Sequence, residues 1–288
     1  MRFEPELVGE NMELPELRKK AVAIRRSLLE MIFACGAGHT GGALSSTDVL
    51  VALYYEIMRT DPRNPAWDGR DYFVMSKGHS VEGLVCILAD KGFFDKEELR
   101  TFCRFGTRLI GHPNNKVPGV EMNTGALGHG LSVAVGMAKG IKMFGRDNRV
   151  FTLMGDGEQA EGSIWEAAMA ASHSRLDNLT AIVDRNRLQI SGDTEQVMTL
   201  EPLAERWRAF GWRVDEIDGH DMAALVRTLG DSPNDGKPHL CIARTVKGKG
   251  VKEMENVAKW HHGVPDADIM ASAMKQLDDE ERRCCASV

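Results

Sequence analysis

RVFTLMGDGEQAEGSIWEAAMAASHSRLDNLTAIVDRN, residues 149–186, contains the pattern that decides the fold. Its first six residues form an almost continuous apolar run, which predicts a strand at 149–154 buried on both faces. Gly155-Asp156-Gly157 follows at once, then a helix over 161–174 and a second apolar strand at 179–184 that ends in Asp184-Arg185-Asn186. Asp156 and Asn186 are 186 − 156 = 30 positions apart, the length of a strand–helix–strand unit. The right-handed crossover of such a unit brings the carboxyl ends of its two parallel strands together, so Asp156 and Asn186 are expected to face one small volume. A carboxylate and an amide oxygen are hard ligands suited to magnesium or calcium, and magnesium completes its shell with phosphate oxygens and water. Gly155 and Gly157 let the backbone approach a diphosphate, and the following helix start adds amide donors. GDG by itself is commonly a plain turn. The spacing to DRN, with a strand on each side, makes it metal-bridged diphosphate capture.

The rest of the chain extends the same pattern. Apolar residues at helical spacing (Leu17, Ala21, Ile24, Leu28, Met31, Ile32) predict a helix over 15–35 that stops at GAGHTGGALSSTD, with Ser46 or Thr47 capping the next one. DYFVMS, 71–76, reads as a short buried strand ending in Lys77-Gly78-His79. Helices are expected over 80–91 and 96–104, then a long proline- and glycine-bearing stretch from Gly106 to Gly125, a length that usually signals function. Beyond it come a helix over 129–143 and later strands near 212–217 and 239–244. Alternating strands and helices predict an α/β fold, a doubly wound, mostly parallel sheet with helices on both faces, in one domain spanning 1–288 with an N-terminal helical extension and a C-terminal tail. Binding loops then cluster at the carboxyl ends of the strands.

With 43% hydrophobic and 27% charged residues the chain belongs to the globular class, and its net charge of −6, without a basic stripe, offers nothing to nucleic acid. The N-terminus lacks the apolar core of a signal peptide and no segment reaches a membrane span, so a cytoplasmic protein is expected. Six scattered cysteines, four of them inside predicted packed segments, read as buried thiols rather than disulfides.

GDG followed some thirty residues later by an asparagine resembles the thiamine-diphosphate signature. Four further segments resemble transketolase, from about residue 15 to 265. His39 in GAGHTGG, His79 in SKGHS, His112 in GHPNN and His262 in WHHGVP match, in order, the family's four site histidines. PGVEMNTGALGHGLSVAVGMA resembles its glycine-rich cofactor turn.

The resemblance implies a site as well as a fold. Asp156 and Asn186 would be metal ligands through their side chains and Leu188 through its carbonyl. Gly125, Leu127 and Gly128 would be backbone contacts to the cofactor. His39 and His112 would meet sugar hydroxyls, while His79 and His262 would lie near the diphosphate and aid proton transfer. Imidazoles suit that work because they donate, accept and carry protons near neutral pH. Glu161 would sit where the two chains meet beneath the cofactor, and Ile190 against the thiazolium. His129, His173, His220, His239 and His261 are expected to be structural or solvated, with His261 a register competitor of His262.

GHTG in place of GHPG, Ala126 in place of a proline and a short 106–118 loop resemble two-gene transketolases. The family's activating glutamate lies on a pyrimidine-binding domain, and only about two dozen residues follow the WHHG cluster, too few for another sheet domain. The resemblance therefore implies a partner chain carrying the pyrimidine and C-terminal domains, an α2β2 heterotetramer, and ketol transfer between sugar phosphates in pentose phosphate chemistry. The competing readings are a 1-deoxyxylulose-5-phosphate-synthase-like enzyme, a ketol transferase for an unusual sugar, and a protein that binds the cofactor without catalysis.

Overall fold

In the computed structural model, residues 12–286 are described. Five strands form one parallel sheet: β1 (Tyr72–Met75), β2 (Val150–Gly155), β3 (Leu179–Arg185), β6 (Arg213–Asp218) and β7 (His239–Arg244), in the spatial order β1-β2-β3-β7-β6. Every pairing is parallel. Two further strands, β4 (Leu188–Gln189) and β5 (Gly192–Asp193), make a separate two-residue hairpin.

Helices cover both faces, as continuous apolar strands require. Alternate residues of the strands enter two cores. Phe73, Phe151, Leu153 and Ile182 pack beneath α1 (Leu14–Cys35), α2 (Thr40–Ala52), α3 (Val81–Asp90), α8 (Met222–Gly230) and α9 (Ala267–Ala286). Val74, Val150, Met154, Ala181 and Val183 face α4 (His129–Met143), α5 (Gly162–His173) and α7 (Leu203–Ala209). Short α6 (Thr194–Val197) follows the hairpin. β3 is buried throughout and β2 and β7 at all but their last residue, whereas β6 has only half-buried and exposed residues, as an edge strand should.

Three expectations are corrected. The second helix starts at Thr40, not after Ser46, so the glycines of GHTGG lie inside it. They mark close approach: a Cβ on Gly41 would stand 2.7 Å from the Trp260 carbonyl oxygen, and one on Gly42 would collide with Ser80 Oγ. The segment expected to be a helix over 96–104 is a single 3-10 stretch, Lys96–Thr101. Finally, all six cysteines are free, but only Cys86 and Cys241 are buried; Cys35 is half-buried and Cys103 exposed.

An ion-pair cluster ties the sheet's carboxyl end to α1 and α2. Buried Arg25 donates to both oxygens of Asp48, at 3.1 and 2.6 Å. His220 Nδ1 lies 2.7 Å from Asp48 Oδ2 while its Nε2 accepts the Val246 N–H. Burial alone would raise the Asp48 carboxyl, yet Arg25 and then the His220 hydrogen bond hold it down to about 2. His220 therefore has the structural place expected of it.

Candidate functional site

Gly155 pairs with Asp184 across β2 and β3, so Asp156 and Asn186 leave neighbouring strands on the same side of the sheet. Both side chains, nearly buried, line one cavity of about 350 Å³ together with Leu188. Arg187 N–H donates to Asp156 Oδ2 at 2.5 Å, Gly157 N–H to Oδ1 at 2.8 Å, and Leu188 N–H to Asn186 Oδ1 at 3.1 Å. These backbone donors fix both groups before any ligand arrives.

The donor set suits a hard divalent cation. Burial and the nearby Asp184 push the Asp156 carboxyl up, and its ion-pair partner among the described residues, Arg185, stands 3.4 Å away and is shared with Glu195 and Glu201. Uncompensated negative charge beside an amide oxygen and a main-chain carbonyl is what such a cation neutralises. Among the described residues no group of three or more His, Cys, Asp and Glu side chains could hold a metal unaided. A cation here would depend on amide, carbonyl and phosphate oxygens, which favours magnesium with a diphosphate.

Ten of the fourteen expected site residues line this cavity: His39, His79, Gly125, Leu127, Gly155, Asp156, Gly157, Asn186, Leu188 and Ile190. His112 and His262 stand just beyond the lining, their rings 6.1 and 4.7 Å from that of His39. Gly128, at φ 84°, opens α4 and gives its N–H to Glu158 at 2.8 Å, behind the wall. Glu161 is exposed at the start of α5, outside the cavity and beside Gly128. Ile190 is 75% exposed on the β4–β5 hairpin, so it is no core residue.

His261, expected to be structural, lines the cavity instead. Its ring stacks on His79 at 5.1 Å and 16°, and its Nδ1 lies 3.1 Å from Lys247 Nζ. Adjacent WHH residues cannot be separated by periodicity; the 3-10 turn at Ala258–His261 decides which ring turns inward.

Three buried charged residues in the cavity lining are ones that sequence reasoning misses. Lys77 binds the Gly42 carbonyl at 2.9 Å and forms an ion pair with Asp184, which also receives Ser45 Oγ at 2.6 Å and Thr245 Oγ1. Lys247 donates to the Leu188 carbonyl at 3.0 Å; burial, and then the Lys77 charge, lower its amine to about 8. Glu158 ties three loops together by accepting from Ser76 Oγ, Gly128 N–H and Gly155 N–H. KGKG at the end of β7 is the one available signal for Lys247. Lys77 and Glu158 are recognisable only once their distant partners are in place.

Electrostatically, the cavity pairs two lysines on its wall with imidazoles kept neutral. Burial lowers His79 to about 2, with Lys77 and His261 adding to it, and burial with Lys247 lowers His261 to about 3. His39 falls to about 4 through burial and its histidine neighbours. Their ring signals are therefore expected to stay flat between about pH 5.5 and 8 in a histidine NMR titration of the chain. A midpoint near about 6.5 for His79 or His261 would contradict this placement.

Residues 17–281 match the transketolase, thiamine diphosphate binding domain family. The chain is 52% identical over 269 residues to an apulose-4-phosphate transketolase subunit of Phocaeicola vulgatus, covering 93% of this chain and 96% of that one. It is 43% identical to the 6-deoxy-6-sulfo-D-fructose transketolase subunit SqwG of a Clostridium species, covering 92% and 97%. Human transketolase is 36% identical, with 93% of this chain matching 42% of that protein. The crystal structure of Campylobacter jejuni transketolase superposes with a TM-score of 0.87 at 31% identity, covering 95% of this chain and 46% of that one. A parallel sheet clad in helices, a cavity at its carboxyl end lined by Asp156 and Asn186, and this span of similarity agree: the chain belongs to the transketolase family, in its thiamine diphosphate binding domain.

Proposed function

We propose that this chain is the diphosphate- and metal-binding half of a two-chain transketolase, transferring a two-carbon ketol unit from a ketose phosphate to an aldose phosphate. The observation that carries this reading is the convergence of Asp156, Asn186 and Leu188 with His39 and His79 on one cavity. Support for two chains comes from length: the chain matches nearly all of a relative that is itself named as one transketolase subunit, and under half of human transketolase.

Thiamine diphosphate, when bound, supplies the carbanion chemistry. Asp156, Asn186 and the Leu188 carbonyl would hold Mg2+ (or Ca2+). Lys77 and Lys247 bring positive charge to the diphosphate side, where His79 and His261 serve as neutral hydrogen-bonding groups. Gly125, Leu127 and Gly128 offer backbone, and Ile190 an apolar surface for the thiazolium. His262, expected near the diphosphate, stands beside His39 instead, and with His39 and His112 it would bind sugar hydroxyls and carry protons. The partner would bring the pyrimidine domain in an α2β2 assembly, with Glu161 at the contact. A cytoplasmic setting fits the substrates, and among the described residues no helix is long and apolar enough to cross a membrane.

A second reading concerns the sugar. The relatives named for apulose 4-phosphate and for 6-deoxy-6-sulfo-D-fructose favour a branched or sulfonated ketose over a pentose phosphate. The test is reconstitution: the purified chain, the candidate partner, magnesium and thiamine diphosphate are assayed for ketol transfer with each component omitted in turn and with both donor classes. All four components are expected to be required. Turnover by this chain alone would defeat the two-chain reading.

A further inference from the structure

Glu82 belongs to no part of the cavity wall, yet it stands directly behind it. This residue lies in the first turn of α3 with its carboxyl 1% exposed. One oxygen, Oε1, accepts the His39 N–H at 2.7 Å and stands 4.0 Å from His39 Nδ1; the other, Oε2, is buried and meets no donor among the described residues. No lysine or arginine ion pair to it is found there either. A buried carboxyl so poorly compensated is costly to keep, and burial pushes Glu82 up to about 7. Such a group persists in a core when another part of the molecule needs it.

What depends on it is the turn that carries His39. Gly38 closes onto the same oxygen, where a Cβ would stand 3.1 Å from Oε1. On its far side the turn grips the segment next to His262: Gly263 N–H donates to the Gly38 carbonyl at 3.2 Å, and Thr40 Oγ1 donates to the Gly263 carbonyl at 2.5 Å. The rings of His39 and His262 are consequently held 4.7 Å apart, nearly edge to face. We propose that Glu82 is a positioning residue for His39 and, through the Gly38–Gly263 contacts, for His262, fixing the backbone from which both imidazoles meet the sugar. The inference rests on the ketol-transfer reading, which assigns the sugar to these histidines.

The experiment uses the complex reconstituted with partner, magnesium and thiamine diphosphate. Glu82→Met keeps the volume and removes the acceptor; it is expected to lower kcat/KM about thirtyfold, the value of one hydrogen bond to a charged group. Glu82→Gln, whose amide oxygen still accepts the His39 N–H, should recover to within about threefold of wild type. Cofactor affinity should be unchanged in both. In a His39→Ala background Glu82→Met should cost clearly less than in wild type, because the part of its effect that passes through the His39 ring is gone and only the part through His262 remains. Equal losses in the two backgrounds, or a glutamine variant as impaired as the methionine one, would overturn the proposal. If the methionine variant does not fold, Glu82→Asp, too short to reach His39, should show the same loss.

A second readout needs no turnover. The His39 ring signals of the chain, assigned by their disappearance in His39→Ala, should shift in Glu82→Met (or Glu82→Asp) and stay in place in Glu82→Gln. An unmoved signal in the former overturns the positioning role. A wild-type complex that transfers no ketol would instead sink the proposed activity, leaving Glu82 to be judged by this spectrum.

Discussion

Asp156→Ala in the assembled complex is expected to weaken magnesium-dependent thiamine diphosphate binding about a thousandfold, close to 4 kcal/mol. Of the three ligands inferred for the cation, Asp156 alone carries charge; Asn186 and the Leu188 carbonyl contribute dipoles. Removing it leaves the cation with neutral protein ligands, while Arg185 stays paired with Glu195 and Glu201 and so keeps its place. The fold should therefore survive, and the loss should appear in calorimetric titrations rather than in melting curves. Asp156→Asn separates charge from shape, and an intermediate loss is expected. Unchanged affinity in the alanine variant would remove Asp156 from the metal shell.

Lys77→Met should act on the fold itself. Asp184 is fully buried at the centre of the sheet's carboxyl end, and Lys77 is the cation facing it. Breaking a buried pair from one side costs about 3–5 kcal/mol because the remaining charge stays desolvated. For a chain of this size that is a fall in Tm on the order of 10 °C. The pH dependence has a definite sign. Burial alone would raise Asp184, but Lys77, Ser45 and Thr245 hold it below the ordinary carboxylate range. In wild type its contribution is thus present above about pH 4 and fades as the pH falls further. Without Lys77 the burial effect wins and the carboxyl rises, so the variant's deficit should shrink as the pH is lowered from about 7 toward 4. A deficit under about 0.5 kcal/mol, or one that grows on acidification, would show that the ion pair is dispensable.

Much of this architecture is legible in the sequence because burial on both faces leaves an unambiguous mark. The expected limits of α4 and β7 coincide with the observed ones, and the GDG–DRN crossover holds its two ends together as its length requires. Legibility fails where a residue's meaning lies in a distant neighbour. Gly41 and Gly42 read as a loop because glycine usually breaks helices; only Trp260 and Ser80 pressing on them explain their place inside one. Lys77 and Asp184 are 107 positions apart, and Ser76 and Glu158 are 82 apart, so neither pair has a local pattern. His261 and His262 are separable only by the turn between Trp260 and Gly263. α7, at seven residues, is too short to show a period, whereas α8 does carry a mark, the Asp221 cap and the Met222, Leu225, Leu229 stripe, that the sequence reading passed over.

The crowding at Gly41 and Gly42 divides the cavity into two walls of unequal freedom. A methyl group at either position would collide with a carbonyl oxygen or a serine hydroxyl, so the side bearing His39 works like a die-cast part, with no latitude for remodelling. The facing stretch from Gly106 to Gly125 has no helix or strand to preserve and is held by turns, such as Asn114 gripping the Arg108 carbonyl. Tailoring this scaffold to a different sugar would begin on that stretch, away from Gly119 and Gly125, where an added methyl would meet Leu88 or His112.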